Sequence, residues 1–192
     1  MESNRLILAS ASPRRRELLQ EAGYLFEIDP AKKEENRYEF LTGEAKTEAL
    51  ARDKALEVLA RHKDCVVLGS DTLVLLEGEC LGKPKNEADA ARMLGKLAGR
   101  SHRVCTSVCV ASEGRISSFR QIAEVTFRPL SQKEILDYVA SGEPMDKAGA
   151  YGIQGKAAKF VSRIEGDYTA IVGLPVCRTC QLLQAFGIIP EE

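Results

Sequence analysis

The sequence lacks most of the bulk features that would place a protein at sight. It has no charge excess: 27 Lys and Arg stand against 28 Asp and Glu, a net charge of −1. That excludes a chain that coats nucleic acid by general electrostatics, so any anion site must be local. No apolar run approaches the roughly 20 residues a membrane-spanning helix requires. The N-terminal MESNRLILASASPRRR has its basic cluster after the short apolar run, the reverse of a secretory leader. The expectation is a cytoplasmic protein with no membrane partner. Histidine is scarce: His62 ends a helical stretch and His102 begins a strand-like one, and neither is placed for a catalytic triad. Of six cysteines, only Cys177 and Cys180 have a metal-like or redox-like spacing. They fall on one face of a C-terminal helical pattern with no second pair to complete four ligands, so the thiols are expected to act as small core residues. No repeat, low-complexity tract or linker interrupts the chain, which reads as one domain over 1–192.

What is present is a mixture of strand and helix signals. Residues 5–10 (RLILAS) form a short apolar run, followed by Ser12 as a helix cap and Pro13 at the first helical position. YLFEI reads as a second strand, and residues 45–62 as a long helix. CVVLGSDTLVLLEGECLGKP reads as a hairpin turning at Glu77-Gly78-Glu79, and its first arm is apolar enough for the middle of a sheet. Asn86 caps a helix that ends before Gly99, strands follow at 103–111 and 115–127, and Ser131-x-x-Glu134 is a capping box for a helix over 132–141. Strands at 158–164 and 168–173 precede a last helix starting at Pro175. Hairpin-joined strands between helices predict an α/β fold with a mixed sheet.

Four features carry chemistry. In LASASPRRRELL, residues 8–19, a helix begins with Arg14, Arg15 and Arg16, where the macrodipole favours anions. The arrangement makes sense if a phosphate-bearing ligand sits there, with Ser10 and Ser12 as further donors; the competing reading is a solvated basic face. Asp71, inside VVLGSDTLVLL, is a carboxylate in an apolar strand, which calls for either a buried cationic partner or a role as metal ligand or general base. Gly69 and Ser70 would let a ligand approach it. Lys83 sits in the LGKPK turn, suited to a phosphate or simply to the surface. DKAGAYGIQG, residues 146–155, has glycines at 149, 152 and 155, a Gln154 amide able to read a base edge, and a Tyr151 that could stack on a ligand. The alternative is a plain surface loop. Together the set points towards a nucleotide.

LASASPRRRELL, VLGSDTLVLLEGECLGKPKN, ARMLGKLAGRSHRV, DKAGAYGIQG and YTAIVGLP, in that order, make the chain resemble the Maf family of nucleoside triphosphate pyrophosphatases, once described as septum-formation proteins. The resemblance implies an elongated mixed sheet flanked by helices, with two lobes and a central cleft, related to the inosine triphosphatase fold. It implies cleavage between the α and β phosphates, with a divalent metal cation such as Mg²⁺ or Mn²⁺. By the family's motifs, Asp71 is the proton acceptor and a metal ligand, and Arg14, Thr72 and Gln154 select the substrate. Ser10, Arg15, Lys54 and Lys83 contact phosphate or metal. The early metal-binding glutamate falls on Glu35, in a segment where Lys32 and Lys33 depart from the family pattern and Glu34 stands beside it as the alternative. The AGAYGIQG form resembles the branch acting on dTTP and UTP, with modified pyrimidine triphosphates as further candidates. A housecleaning role in nucleotide pools, a link to cell-division arrest and a homodimer are also implied. The competing functions are a non-enzymatic nucleotide-binding or nucleic-acid-binding regulator of septum formation, and a purine-directed pyrophosphatase.

Overall fold

The computed structural model describes residues 5–32, 38, 40–41 and 43–191. Seven strands form one mixed sheet: β1 (Arg5–Leu8), β2 (Glu27–Ile28), β3 (Cys65–Leu76), β4 (Glu79–Leu81), β5 (Ser101–Ser112), β6 (Arg115–Phe127) and β7 (Val161–Glu165). The order is β2-β1-β3-β5-β6-β7, with β4 also on β3. β1 is parallel to β2 and β3, and every other pairing is antiparallel. The long β3, β5 and β6 give the sheet its expected elongated form. Helices α1 (Pro13–Glu21), α2 (Gly43–Leu59), α3 (Glu87–Leu97), α4 (Gln132–Val139), α5 (Tyr168–Val172) and α6 (Val176–Ala185) flank it.

Strand period sets which face each side chain takes. Leu6 and Leu8 of β1, with Val66, Leu68, Val74 and Leu76 of β3, join the main core beneath α1 and α3. Ile7, Val67 and Cys109 face the other way, onto Ala51, Ala55 and Val58 of α2.

β5 occupies one edge of β3 from Val67 to Leu75. The opposite edge is shared by two short strands: β1 pairs with residues 65–68 and β4 with residues 74–76. Among the described residues no strand pairs with that edge between Gly69 and Leu73. The sheet is notched there, with β1 and α1 on one side and β4, α3 and the glycine-rich segment on the other. The notch is the cleft between the two lobes.

Local signals placed most boundaries. Glu77 (φ 48°) and Gly78 (φ 87°) make the β3–β4 hairpin turn, with positive φ at both central positions. Asn86 caps α3, and Ser131 with Glu134 forms both bonds of the capping box on α4. Three expectations are corrected. YLFEI pairs with β1 only at Glu27 and Ile28, because Tyr24 is drawn into the core as the chain leaves α1. Residues 156–160 form a 3₁₀ turn, so the last strand starts at Val161. Residues 168–172 are helix α5, not a strand. The Asp167 side chain accepts from the backbone N–H groups of Thr169 and Ala170, and Gly173 (φ 133°) ends the turn, so capping outweighs the β propensity of YTAIV.

Candidate active site

The notch opens into a cavity of about 1340 Å³. Ser10, Arg14, Arg15, Lys54, Asp71, Thr72, Lys83 and Gln154 all line it. They come from the end of β1, the first turn of α1, α2, β3, the loop after β4, and the glycine-rich segment. Glu34 and Glu35 lie outside the described residues.

Asp71 stands mid-notch and buried, facing α2. Lys54 Nζ donates to its Oδ1 at 2.6 Å, a short charge-assisted bond between two largely buried groups. The cationic partner expected of a buried carboxylate is therefore present, 17 residues away on a helix. Gly69 explains how it reaches. A Cβ there would lie 2.4 Å from the Ala51 carbonyl oxygen and 2.8 Å from the Ala55 nitrogen. The glycine admits the backbone of α2 rather than a ligand, and this close approach brings Lys54 to Asp71.

Thr72, the next residue, faces the other side of the sheet and meets Arg15. The Arg15 guanidinium donates from Nε to the Gly173 carbonyl (2.8 Å), from Nη1 to Ser10 Oγ (3.2 Å) and from Nη2 to Thr72 Oγ1 (3.1 Å). Ser70 Oγ also donates to the Gly173 carbonyl. Ser10 Oγ accepts from the Ser12 N–H as well, so both bonds found there use its lone pairs and leave the hydroxyl oriented as a donor. Arg14 reaches across the cleft to Asp146 (3.5 Å). Burial works against the Asp146 carboxylate, but the Lys147 ammonium and Arg14 outweigh it and hold it below its ordinary range. Arg16 is exposed.

The glycine-rich segment is built differently from the sequence reading. A Cβ at Gly149 would strike Val74, one at Gly152 would strike Lys147, and one at Gly155 would strike the Glu143 carboxylate. These glycines make room for the protein's own side chains, not for a ligand. Glu143 ties the segment down: it accepts from the Tyr138 hydroxyl (3.0 Å) and from the Lys156 N–H (3.1 Å), with exposed Gln154 held between these anchors at the cavity wall. Tyr151 does not stack on a ligand from an open position. It is buried edge-on against Phe127, with its hydroxyl 2.8 Å from His102 Nε2.

Sequence reasoning did not single out Gly173, Thr106, Glu143 or Asp146. Thr106 had a signal of the same kind as Asp71, a polar residue inside the apolar run VCTSVCVA. The others act through partners distant in sequence. All six cysteines are free, and three of them are buried in the core. Among the described residues no three His, Cys, Asp or Glu side chains converge on a metal position.

Residues 5–186 match the family described as Maf-like protein. A dTTP/UTP pyrophosphatase of Moorella thermoacetica is 51% identical over 96% of each chain. The protein of the same description from Bacillus pumilus is 48% identical over 97% of this chain and 99% of its own. Among solved structures, a HAM1 protein from Coxiella burnetii shares the fold at a TM-score of 0.50 and 15% identity, covering 95% of this chain and 99% of that one.

Proposed function

The chain belongs to the Maf-like protein family, and from that premise we propose that it is a nucleoside triphosphate pyrophosphatase acting on dTTP and UTP. The bridging bond between the α and β phosphates breaks, water supplies the new oxygen on the α phosphorus, and the products are a nucleoside monophosphate and pyrophosphate. The observation that carries the site assignment is the notch itself. It gathers Arg14, Arg15, Lys54 and Lys83 around one buried carboxylate, Asp71.

Asp71 is the group we assign to take the proton from the attacking water, held at one oxygen by Lys54. Ser10, Arg14 and Arg15 hold phosphate oxygens, and Lys83 adds charge from the facing lobe, where the pyrophosphate charge develops. Gln154 reads the base edge from the segment anchored by Glu143. The donor set suits a hard divalent cation such as Mg²⁺ or Mn²⁺: one carboxylate facing a triphosphate, with Glu35 as the expected second ligand. When bound, the cation neutralises charge on the phosphate oxygens. A reducing cytoplasm suits the six free cysteines. A homodimer without a nucleic-acid partner completes the proposal. Its expected biological setting is housecleaning of nucleotide pools, including modified pyrimidines, with a link to cell-division arrest.

Pyrophosphate release over a panel of UTP, dTTP, CTP, GTP and ITP with Mg²⁺ tests the reading. UTP and dTTP should turn over fastest, and Asp71→Asn should lower turnover by about 10²–10⁴-fold while the protein stays folded. Inactivity on every nucleotide, or a fully active Asp71→Asn, would refute it.

A further inference from the structure

Thr72 lines the cavity, and the direction of its hydroxyl is fixed by a residue that does not reach the cavity. Thr106 lies directly opposite Thr72 in the β3–β5 register and is fully buried. Its Oγ1 donates to the Ala170 carbonyl of α5 at 2.7 Å. A threonine hydroxyl has one proton, so at its 2.8 Å contact with Thr72 Oγ1 the Thr106 oxygen must accept. Thr72 therefore sends its proton inward to Thr106. One of its lone pairs takes the Arg15 N–H. What Thr72 can still offer the cavity is its second lone pair.

We propose that Thr106 is a positioning residue that sets substrate selectivity, by holding Thr72 as a hydrogen-bond acceptor towards a donor on the nucleoside. The inference rests on the pyrophosphatase reading above. Uracil and thymine share an imide N3–H, and UTP and dTTP also share a 3′-hydroxyl, so the complementary donor is one of these two. Cytosine presents a bare N3 acceptor at the imide position. Facing it, the fixed Thr72 oxygen sets two lone pairs against each other and leaves both unpaired, which is discrimination by repulsion as well as by attraction. A threonine pair free to rotate would accommodate either base.

The test compares kcat/KM for UTP, CTP, N3-methyl-UTP and 3′-deoxy-UTP in the wild-type protein, Thr106→Val and Thr106→Ser. Valine keeps the shape and removes the relay; serine keeps the hydroxyl. The wild type should lose about tenfold or more, the worth of one hydrogen bond to substrate, on either the N3-methyl or the 3′-deoxy analogue, and that loss names the donor. If the donor is N3–H, Thr106→Val should narrow the UTP-to-CTP ratio by a similar factor. If it is the 3′-hydroxyl, Thr106→Val should narrow the UTP-to-3′-deoxy-UTP ratio. In both cases Thr106→Ser should keep the wild-type ratio. A merely structural loss would lower all rates together and leave the ratios alone. Wild-type indifference to both analogues overturns the proposal even if Thr106→Val does not fold, as does a folded Thr106→Val with wild-type ratios. Absence of pyrophosphate release from UTP by the wild type would instead overturn the enzymatic reading.

Discussion

Replacing Gly69 with alanine should separate Lys54 from Asp71 without touching either. The added Cβ would lie 2.4 Å from the Ala51 carbonyl oxygen, 2.8 Å from the Ala55 nitrogen and 3.0 Å from the Ala55 Cβ, whereas ordinary van der Waals contact begins at 3.4 Å. Two of these atoms are helix backbone, which cannot rotate away. Relief of the shortest contact needs α2 to retreat by 3.4 − 2.4, about 1 Å. Lys54 is carried on the same turn, between Ala51 and Ala55, so its 2.6 Å bond to Asp71 would stretch by a similar amount. Overpacking of this kind costs about 1–3 kcal/mol, and a shift of about 1 Å in a catalytic group costs on the order of 10²-fold in rate. In a chain of this length the stability loss lowers Tm by roughly 2–12 °C. Thermal unfolding followed by circular dichroism, together with pyrophosphate release from UTP, reads both effects. Gly95→Ala on α3 is the control: nothing lies within 4 Å of its Cβ, so activity should hold and stability rise by up to about 1 kcal/mol from helix propensity. A Gly69→Ala protein with wild-type Tm and turnover would refute the claim that close helix–sheet approach positions the ion pair.

His102 should govern part of the acid sensitivity. Burial pushes its pKa from 6.5 down to about 4, so between those values the unfolded chain binds a proton that the folded chain does not. Stability is then complete above about pH 6.5 and falls as pH drops towards 4, by up to roughly 3 kcal/mol. Urea midpoints over pH 4–7 should show a shallower acid slope in His102→Gln, and an unchanged slope would assign the effect elsewhere. Glu143→Ala should release the Lys156 N–H and the Tyr138 hydroxyl and loosen the segment that carries Gln154. The KM for UTP should rise by several-fold to about tenfold with a smaller change in kcat, and an unaltered KM would mean that the segment holds its shape without this carboxylate.

The parts of the fold legible in the sequence were those with local causes. The Ser131–Glu134 box, the Asn86 cap and the Glu77-Gly78 turn are each specified within four residues, and each sits where expected. Asp71 was legible for a different reason: a lone carboxylate in an apolar strand needs an explanation wherever the chain places it. The glycines were misread because most of their neighbours are remote in sequence. Nothing near Gly69 in sequence indicates Ala51, and nothing in AGAYGIQG indicates that Glu143 and Lys147 fill the spaces beside Gly155 and Gly152. A glycine reports that something comes close, and only the tertiary structure says what. Helix α5 lay between these cases: YTAIV has strand propensity, yet the Asp167 cap preceding it is a local signal that outranks propensity in a five-residue segment.

The arginines at the start of α1 show how far charge counting carries. The first turn holds no acidic residue, and each cation there is disfavoured by about 0.3–1 kcal/mol against the macrodipole. The three side chains resolve that conflict in different ways. Arg16 points to solvent, where screening weakens the interaction. Arg15 is fixed on the Gly173 carbonyl, Ser10 and Thr72, so its charge is already oriented and, in the proposed role, would need no reorganisation to meet a phosphate. Among the described residues Arg14 has one ionic partner, a 3.5 Å contact to Asp146, whose side chain is mostly exposed. Such surface pairs are worth about 0–1 kcal/mol, little enough for a triphosphate to displace. On the proposed assignment Arg15 belongs to the preformed half of the site and Arg14 to the half that would exchange partners. On the proposed assignment, a triphosphate that takes up Arg14 would break its contact with Asp146 across the cleft.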